Sequence, residues 1–292
     1  MATAVIDVRT EPSVVVRLRS AASRLGTVGV ICVIIVAIAV FLAVFGPYLP
    51  DLDPETSNLP NAWVGPFQVP GYPLGFDAQG RDLLSRLIFG TRTALLGPLV
   101  VLVVSMSLGI TIGLVAAWRR GWLDSFVNLG LDVLFGFPGI LLAIVAAAVF
   151  GGGLIAAAIA LSIAYLPYIA RVVRNAAAKE NGKEYVAALR VQGVSSWNIA
   201  MRHVLPNISP IIVAQGTILF GYALVDMVAI SFLGLGVQPP NADWGMMVNE
   251  NLIGVIQGYP LPALTAGLLI VVVVVAVNVL GERLLDISEG RR

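Results

Sequence analysis

Residues 133–170 read VLFGFPGILLAIVAAAVFGGGLIAAAIALSIAYLPYIA, 38 positions without a single charge. At about 1.5 Å per helical residue, one straight helix of that length would overshoot the roughly 30 Å hydrocarbon core of a bilayer. A spanning helix needs about 17–25 apolar residues, so the run predicts two spans, with Gly151-Gly152-Gly153 supplying the turn between them. Outward from this stretch, Val28–Pro50, Thr93–Ala117, Ile208–Val225 and Asn251–Gly281 are likewise uncharged. The pattern predicts an all-α polytopic membrane protein with six transmembrane helices, near 28–48, 93–117, 125–149, 154–173, 208–231 and 260–281.

Composition agrees. Of 292 residues, 58% are hydrophobic and 12% charged, and the mean hydropathy is +0.90. Soluble domains carry about a quarter charged residues. An ordinary soluble enzyme, a disordered chain and a nucleic-acid binder are therefore excluded. The net charge of +1 points to no acidic partner. A single cysteine, Cys32, cannot form an internal disulfide, and a single histidine, His203, cannot build a two-histidine metal site. No metal ligand set is expected.

Basic residues orient the chain. With the N-terminus inside, only Arg81, Arg86 and Arg92 of the 18 Lys and Arg fall on outer segments. That asymmetry predicts both termini in the cytosol. The resulting segments are a basic N-terminal stretch (1–27), a first transmembrane helix (28–50), an outer loop with a short interfacial helix at 83–89 (51–92), a five-helix core (93–281) and a cytosolic tail (282–292). Within the core lie an inner loop at about 174–207 and an outer loop at about 232–257. The first apolar run is too long for a signal peptide and lacks an A-x-A-like cleavage site, so it reads as a retained anchor. Val14–Arg19 reads either as a surface amphipathic helix or as a plain positive-inside flank. Trp118, Trp122 and Trp244 fit the aromatic belts at membrane interfaces.

The inner loop is the informative one. Glu184–Arg190 suits a helix, Gly193 suits the left-handed residue that stops it, and Ser195 and Ser196 are N-cap candidates for a second helix towards Leu205. Pro206 marks a boundary before the fifth span. Ala187 and Ala188 leave a shallow surface. A helix–Gly–helix unit on the cytosolic face suits insertion into a groove of a cytosolic partner; the alternative is a solvated linker. Within the spans, Asp132 and Asp226 are costly to bury, so each faces either a pathway or a hydrogen-bonding partner. Pro98, Pro138 and Pro167 are expected to shape helices, Gly109 and Gly113 to permit close packing, and Asn278 to bond between helices.

These residues, taken together, resemble a family. Glu184-Tyr185-Val186-Ala187-Ala188-Leu189-Arg190-Val191-Gln192-Gly193, followed by Arg202-His203-Val204-Leu205-Pro206-Asn207, resembles the EAA loop of binding-protein-dependent ABC importer permeases. Pro73–Asp77 with Gly80–Gly90, Asp132 through Pro138, and Ser231–Pro240 with Trp244-Gly245 are similar to the C-type permease of the dipeptide/oligopeptide/nickel branch. The resemblance runs from the first span to about Asp286. Ala187 stands where the loop's namesake acidic residue is usual, and Leu189 where its second alanine is.

The resemblance implies a type I ABC importer permease fold and a place in the bacterial inner membrane. It implies a second, B-type permease, two cytosolic ATPases docked through the inner loops, and an extracytoplasmic solute-binding lipoprotein. The docking residues would be Glu184, Tyr185, Ala187, Ala188, Leu189, Arg190, Gly193, Ser195 and Ser196. Asp132 and Asp226 would be pathway candidates. Arg81, Asp82 and Trp244 would lie at an outer gate or partner contact, with capping as a further reading of Asp82. ATP and Mg2+ would be bound by the ATPases, since this chain has no G-x-x-x-x-G-K-[ST] loop: Gly182-Lys183 is followed by Glu184. Short peptides are the expected cargo, with nickel or a chelated metal as the alternative. A proton-coupled transporter would use the two acids but would not explain the inner loop. An intramembrane enzyme lacks a G-x-S-x-G elbow and paired metal ligands.

Overall fold

The computed structural model describes residues 14–118 and 122–288. Residues 1–13, 119–121 and 289–292, which include part of the expected basic N-terminal stretch and of the expected tail, lie outside the described residues. Eleven α-helices are named along the described chain, no β-strand forms among these residues, and a single bridge joins Phe76 and Asp82.

Helix α1 (Val14–Phe45) is interrupted at Gly26, whose φ of 70° is not helical. The apolar part, Leu25–Tyr48, is the first candidate span, and a basic helical stretch precedes it. Helix α2 (Leu83–Trp118) corrects the sequence reading. The expected interfacial helix at 83–89 and the expected span from 93 are one continuous helix of 36 residues, about 54 Å long. Charge at Arg86 and Arg92 ended the apolar run but does not interrupt backbone hydrogen bonding. Pro98 sits inside this helix without ending it.

The third expected span is broken. Helix α3 (Trp122–Phe135) and helix α4 (Gly139–Phe150) meet at an 81° bend. Pro138, lacking an N–H and fixing its own φ, sits at the N-cap of α4, and Gly136-Phe137 fill the gap. Helix α5 (Leu154–Asn181) runs eight residues past the expected end. Five helices are thus long and apolar enough to cross a membrane, six if the bent pair counts as one span.

Helices α6 (Glu184–Val191) and α7 (Ser196–Ile199) follow. The boundary expected at Pro206 is absent. A π-turn over Ala200–Val204 leads directly into helix α8 (Leu205–Phe232). Proline removes a helical hydrogen bond and crowds the carbonyl four residues back; widening the turn makes room, and the Leu205 N–H bonds to the Ala200 carbonyl instead. Short helices α9 (Trp244–Glu250) and α10 (Leu252–Ile256) precede the last span, α11 (Leu261–Ser288).

Three apolar clusters hold the bundle. One joins α2, α5, α6, α7, the π-turn and α8 through Leu114, Ile169, Val173, Val186, Ile199, Val204 and Ile208. A second joins α2, α4, α5 and α8 through Val101, Ala143, Ala157, Leu161, Ala223 and Met227. The third joins α1, α2, α8, α9 and α11 through Ala39, Leu87, Leu224, Trp244, Ala266 and Val273. Helices α2 and α5 approach so closely that a Cβ at Gly113 would stand 2.7 Å from the Ala170 carbonyl oxygen. Small residues at such crossings allow dispersion contacts that lipid cannot supply.

Candidate functional site

At one end of the bundle, α6 presents two faces. Val186 is fully buried, and Tyr185 and Leu189 pack against the same cluster. Glu184, Ala187, Ala188, Arg190, Gly193, Ser195 and Ser196 are exposed. Val191 and Trp197, which the sequence reading did not single out, are 89% and 68% exposed beside them. The acidic Glu184 in the first turn and Arg190 in the last both favour the helix macrodipole.

The stop after α6 is a Schellman motif. Val194 N–H donates to the Leu189 carbonyl at 3.1 Å and Gly193 N–H to the Arg190 carbonyl at 3.0 Å. Gly193 has φ of 78°, a region where a Cβ crowds its own backbone. Ser195 then caps α7, its Oγ accepting from Asn198 N–H at 3.3 Å. The helix–Gly–helix unit expected from the sequence forms, and it ends in the π-turn.

A buried carboxylate ties this unit to the spans. Glu180, 6% exposed in the last turn of α5, accepts from Tyr185 Oη at 2.9 Å and from Asn207 Nδ2 at 3.1 Å. Lys183 Nζ lies 2.7 Å from its other oxygen. The hydrogen bond it donates to Glu180 holds the Lys183 ammonium above the ordinary lysine range, while burial pushes the Tyr185 phenol up. Three elements, α5, α6 and α8, thus converge on one residue. The available sequence signal was its position: an acid in a last helical turn opposes the macrodipole and needs donors.

The opposite end is a polar collar. Asp82 caps α2, accepting from Leu84 N–H at 3.2 Å and Ser85 N–H at 3.1 Å. Arg81 bonds Asp77 through Nε at 2.8 Å and Glu250 through a terminal nitrogen at 2.6 Å. Arg86, fully buried, reaches Glu250 at 3.2 Å, the Pro54 carbonyl at 3.2 Å and Asp77 at 3.4 Å. Two cations and two anions therefore balance inside this chain and join the 51–82 segment to α2 and α9. Trp244, expected at an interface belt, is 1% exposed, and its indole N–H donates to the Leu87 carbonyl at 2.9 Å. Its hydrogen-bond partner lies on α2, 157 residues away, which no local pattern reveals. Trp118 packs against the cluster beneath α6, and the Trp122 side chain lies outside the described residues. Asp243 caps α9 from a buried position that pushes its carboxyl above the usual range.

The two intramembrane acids occupy separate places. Asp132, on α3, is ion-paired with Arg171 of α5, whose guanidinium lies 4.6 Å from the Phe135 ring centre. Asp226, on α8, accepts from Tyr165 Oη of α5 at 2.8 Å. Tyr168 Oη donates to Gln215 one step along the same contact. Asn278, expected to bond between helices, packs on Gly221 of α8, and its buried Oδ1 meets no donor among the described residues. No group of three or more His, Cys, Asp or Glu that could hold a metal occurs among the described residues.

Residues 109–292 match the family described as the binding-protein-dependent transport system inner membrane component. A glutathione transport system permease protein, GsiD, of Pectobacterium atrosepticum is 38% identical over 73% of this chain and 70% of its own length. A putative peptide transport system permease protein of Brucella suis is 35% identical over 98% of this chain and 94% of its own. The di/tripeptide permease protein DppC of Pseudomonas aeruginosa is 36% identical over 85% and 82%. Among solved structures, an inward-facing MetNI methionine ABC transporter chain aligns with a TM-score of 0.58 and 21% identity, over 70% of this chain and 97% of that one. The all-α importer-permease fold expected from the sequence is the fold observed.

Proposed function

Since the chain belongs to the family of inner membrane components of binding-protein-dependent transport systems, we propose that it is the permease subunit of an ATP-driven importer of short peptides. The observation that carries this reading is the exposed α6–Gly193–α7 unit anchored through Glu180 to two spans. Such a unit gives a moving cytosolic partner a firm grip on α5 and α8. Peptide cargo is supported by relatives named for peptide and glutathione transport that match most of the chain.

In this reading the chain sits in the bacterial inner membrane with both termini cytosolic. It pairs with a B-type permease, and each permease docks one ATPase, which binds ATP and Mg2+. A solute-binding lipoprotein delivers peptide to the end that carries Arg81, Asp82 and Trp244. Hydrolysis takes place on the ATPases. Here, Glu184, Tyr185, Ala187, Ala188, Leu189, Arg190, Gly193, Ser195 and Ser196 receive the motion. The Schellman turn and the π-turn pass it to α5 and α8 as a shift of packed helices, which opens and closes a path bordered by Asp132 and Asp226.

Reconstitution of the chain with its neighbouring permease, ATPases and binding protein tests this. The expected result is peptide uptake that needs ATP, is blocked by vanadate and is indifferent to a protonophore. Uptake by the isolated chain along a proton gradient would overturn the reading.

A further inference from the structure

Among the described residues, Asp226 differs from the acids that are paired with a cation or that cap a helix. Asp77 and Glu250 meet arginines, Asp132 meets Arg171, Glu180 meets Lys183, and Asp82 and Asp243 cap helices. Among the described residues Asp226 has one hydrogen-bond donor, Tyr165 Oη on its Oδ2, and no paired cation. The residue is half-buried rather than sealed in the core.

Its surroundings form a stripe. Gln215, Tyr222 and Asp226 are spaced by seven and four residues, so they lie along one face of α8. Tyr165 and Tyr168 of α5 border that face, hydrogen-bonded to Asp226 and Gln215. Tyr222 is 52% exposed between them. Three phenols, an amide and a carboxylate thus line a stretch of the helix pair whose exposed neighbours include Ile159, Ile163, Val213 and Val225. Asp226 stands six residues, about 9 Å, from the C-terminal end of α8. A polar face inside a membrane chain must meet water or other polar groups, because hydrocarbon leaves it unsatisfied.

We propose that Asp226, positioned by Tyr165, takes the protonated amino terminus of the peptide during passage, with Tyr168, Gln215 and Tyr222 offering hydrogen bonds to the amides that follow. This rests on the peptide-importer reading above. An unpaired carboxylate attracts an ammonium strongly in a partly dehydrated path, since charge-assisted hydrogen bonds are about twice as strong as neutral ones. Phenols and a carboxamide add donors and acceptors without adding charge, so the cation is drawn towards one point.

The test uses the full reconstituted complex and reads peptide imported per ATP hydrolysed, together with co-purification of the second permease. Asp226→Asn is expected to lower the ratio about tenfold, the scale of one lost charge-assisted hydrogen bond. Asp226→Glu retains most of it, and Tyr165→Phe, which keeps the charge but frees its position, falls between. An Asp226→Asn complex with an unchanged ratio overturns the proposal. So does loss of the second permease from Asp226→Asn on purification, which would make the carboxylate a subunit contact. If the unaltered complex imports nothing with ATP, the importer reading fails instead.

Discussion

At the residue scale, the weight of each polar group follows from what it would leave behind. Glu180 accepts from two neutral donors, Tyr185 and Asn207, and pairs with Lys183, whose side chain is 55% exposed. Truncating the buried Glu180 removes both neutral hydrogen bonds, each worth about 0.5–1.5 kcal/mol net, together with the ion pair, whereas truncating Lys183 removes only a solvent-screened contact. Glu180→Ala should therefore loosen α6 far more than Lys183→Met. Hydrogen exchange checks this: amides of 184–191 should exchange at least about tenfold faster in the first variant and nearly normally in the second. Equal effects would show that the ion pair, rather than the two neutral hydrogen bonds, holds the unit. Gly193, Ser195 and the cap at Asp82 were legible because each acts on backbone a few residues away. Glu180, Tyr165 and Glu250 were not, since their partners lie on distant elements; Glu250 meets Arg86 across 164 residues.

At the element scale, the turn between α6 and α7 is the most exposed to a single change. A Cβ at Gly193 would meet no atom within 4 Å, so a larger residue is penalised by backbone strain alone. That strain is about 1–2 kcal/mol for a non-glycine residue in the left-handed region, and asparagine tolerates it best. Gly193→Val is expected to lower peptide import per ATP several-fold in the reconstituted complex, and Gly193→Asn to restore most of it. Unchanged import with Gly193→Val would mean that this turn does not transmit motion. Sequence periodicity found every span but misjudged several limits. Arg86 and Arg92 ended the apolar run that defines the second span, yet the helix continues through both, with Arg86 neutralised by Asp77 and Glu250. Pro206 looked like a stop, and a π-turn absorbs it instead. Pro138 was expected to kink a span and breaks it by 81°.

At the scale of the whole molecule, the two ends differ in kind. One carries the collar of Arg81, Arg86, Asp77 and Glu250, and the other the exposed Ala187, Val191 and Trp197. The distribution of lysine and arginine predicts that the second end faces the cytosol. Single cysteines in a Cys32→Ala background check this, using a thiol reagent that does not cross membranes. Phe67→Cys, at a site 83% exposed, should react in intact cells, and Val191→Cys only after permeabilisation. The opposite pattern would invert the topology. The long apolar helices and the helix–Gly–helix form of the inner segment were legible from apolar runs and one glycine. The mutual bracing of two loops 170 residues apart was beyond any local pattern.

That bracing has a mechanical corollary. The collar is bolted to the first turns of α2, and the far end of α2, at Leu114, Ala117 and Trp118, abuts the cluster that seats Val186 and Ile199. One uninterrupted shaft therefore links the two faces. A protein landing on the collar would press on a stiff plate, and the torque would arrive beneath α6 without first passing through any pliable connection.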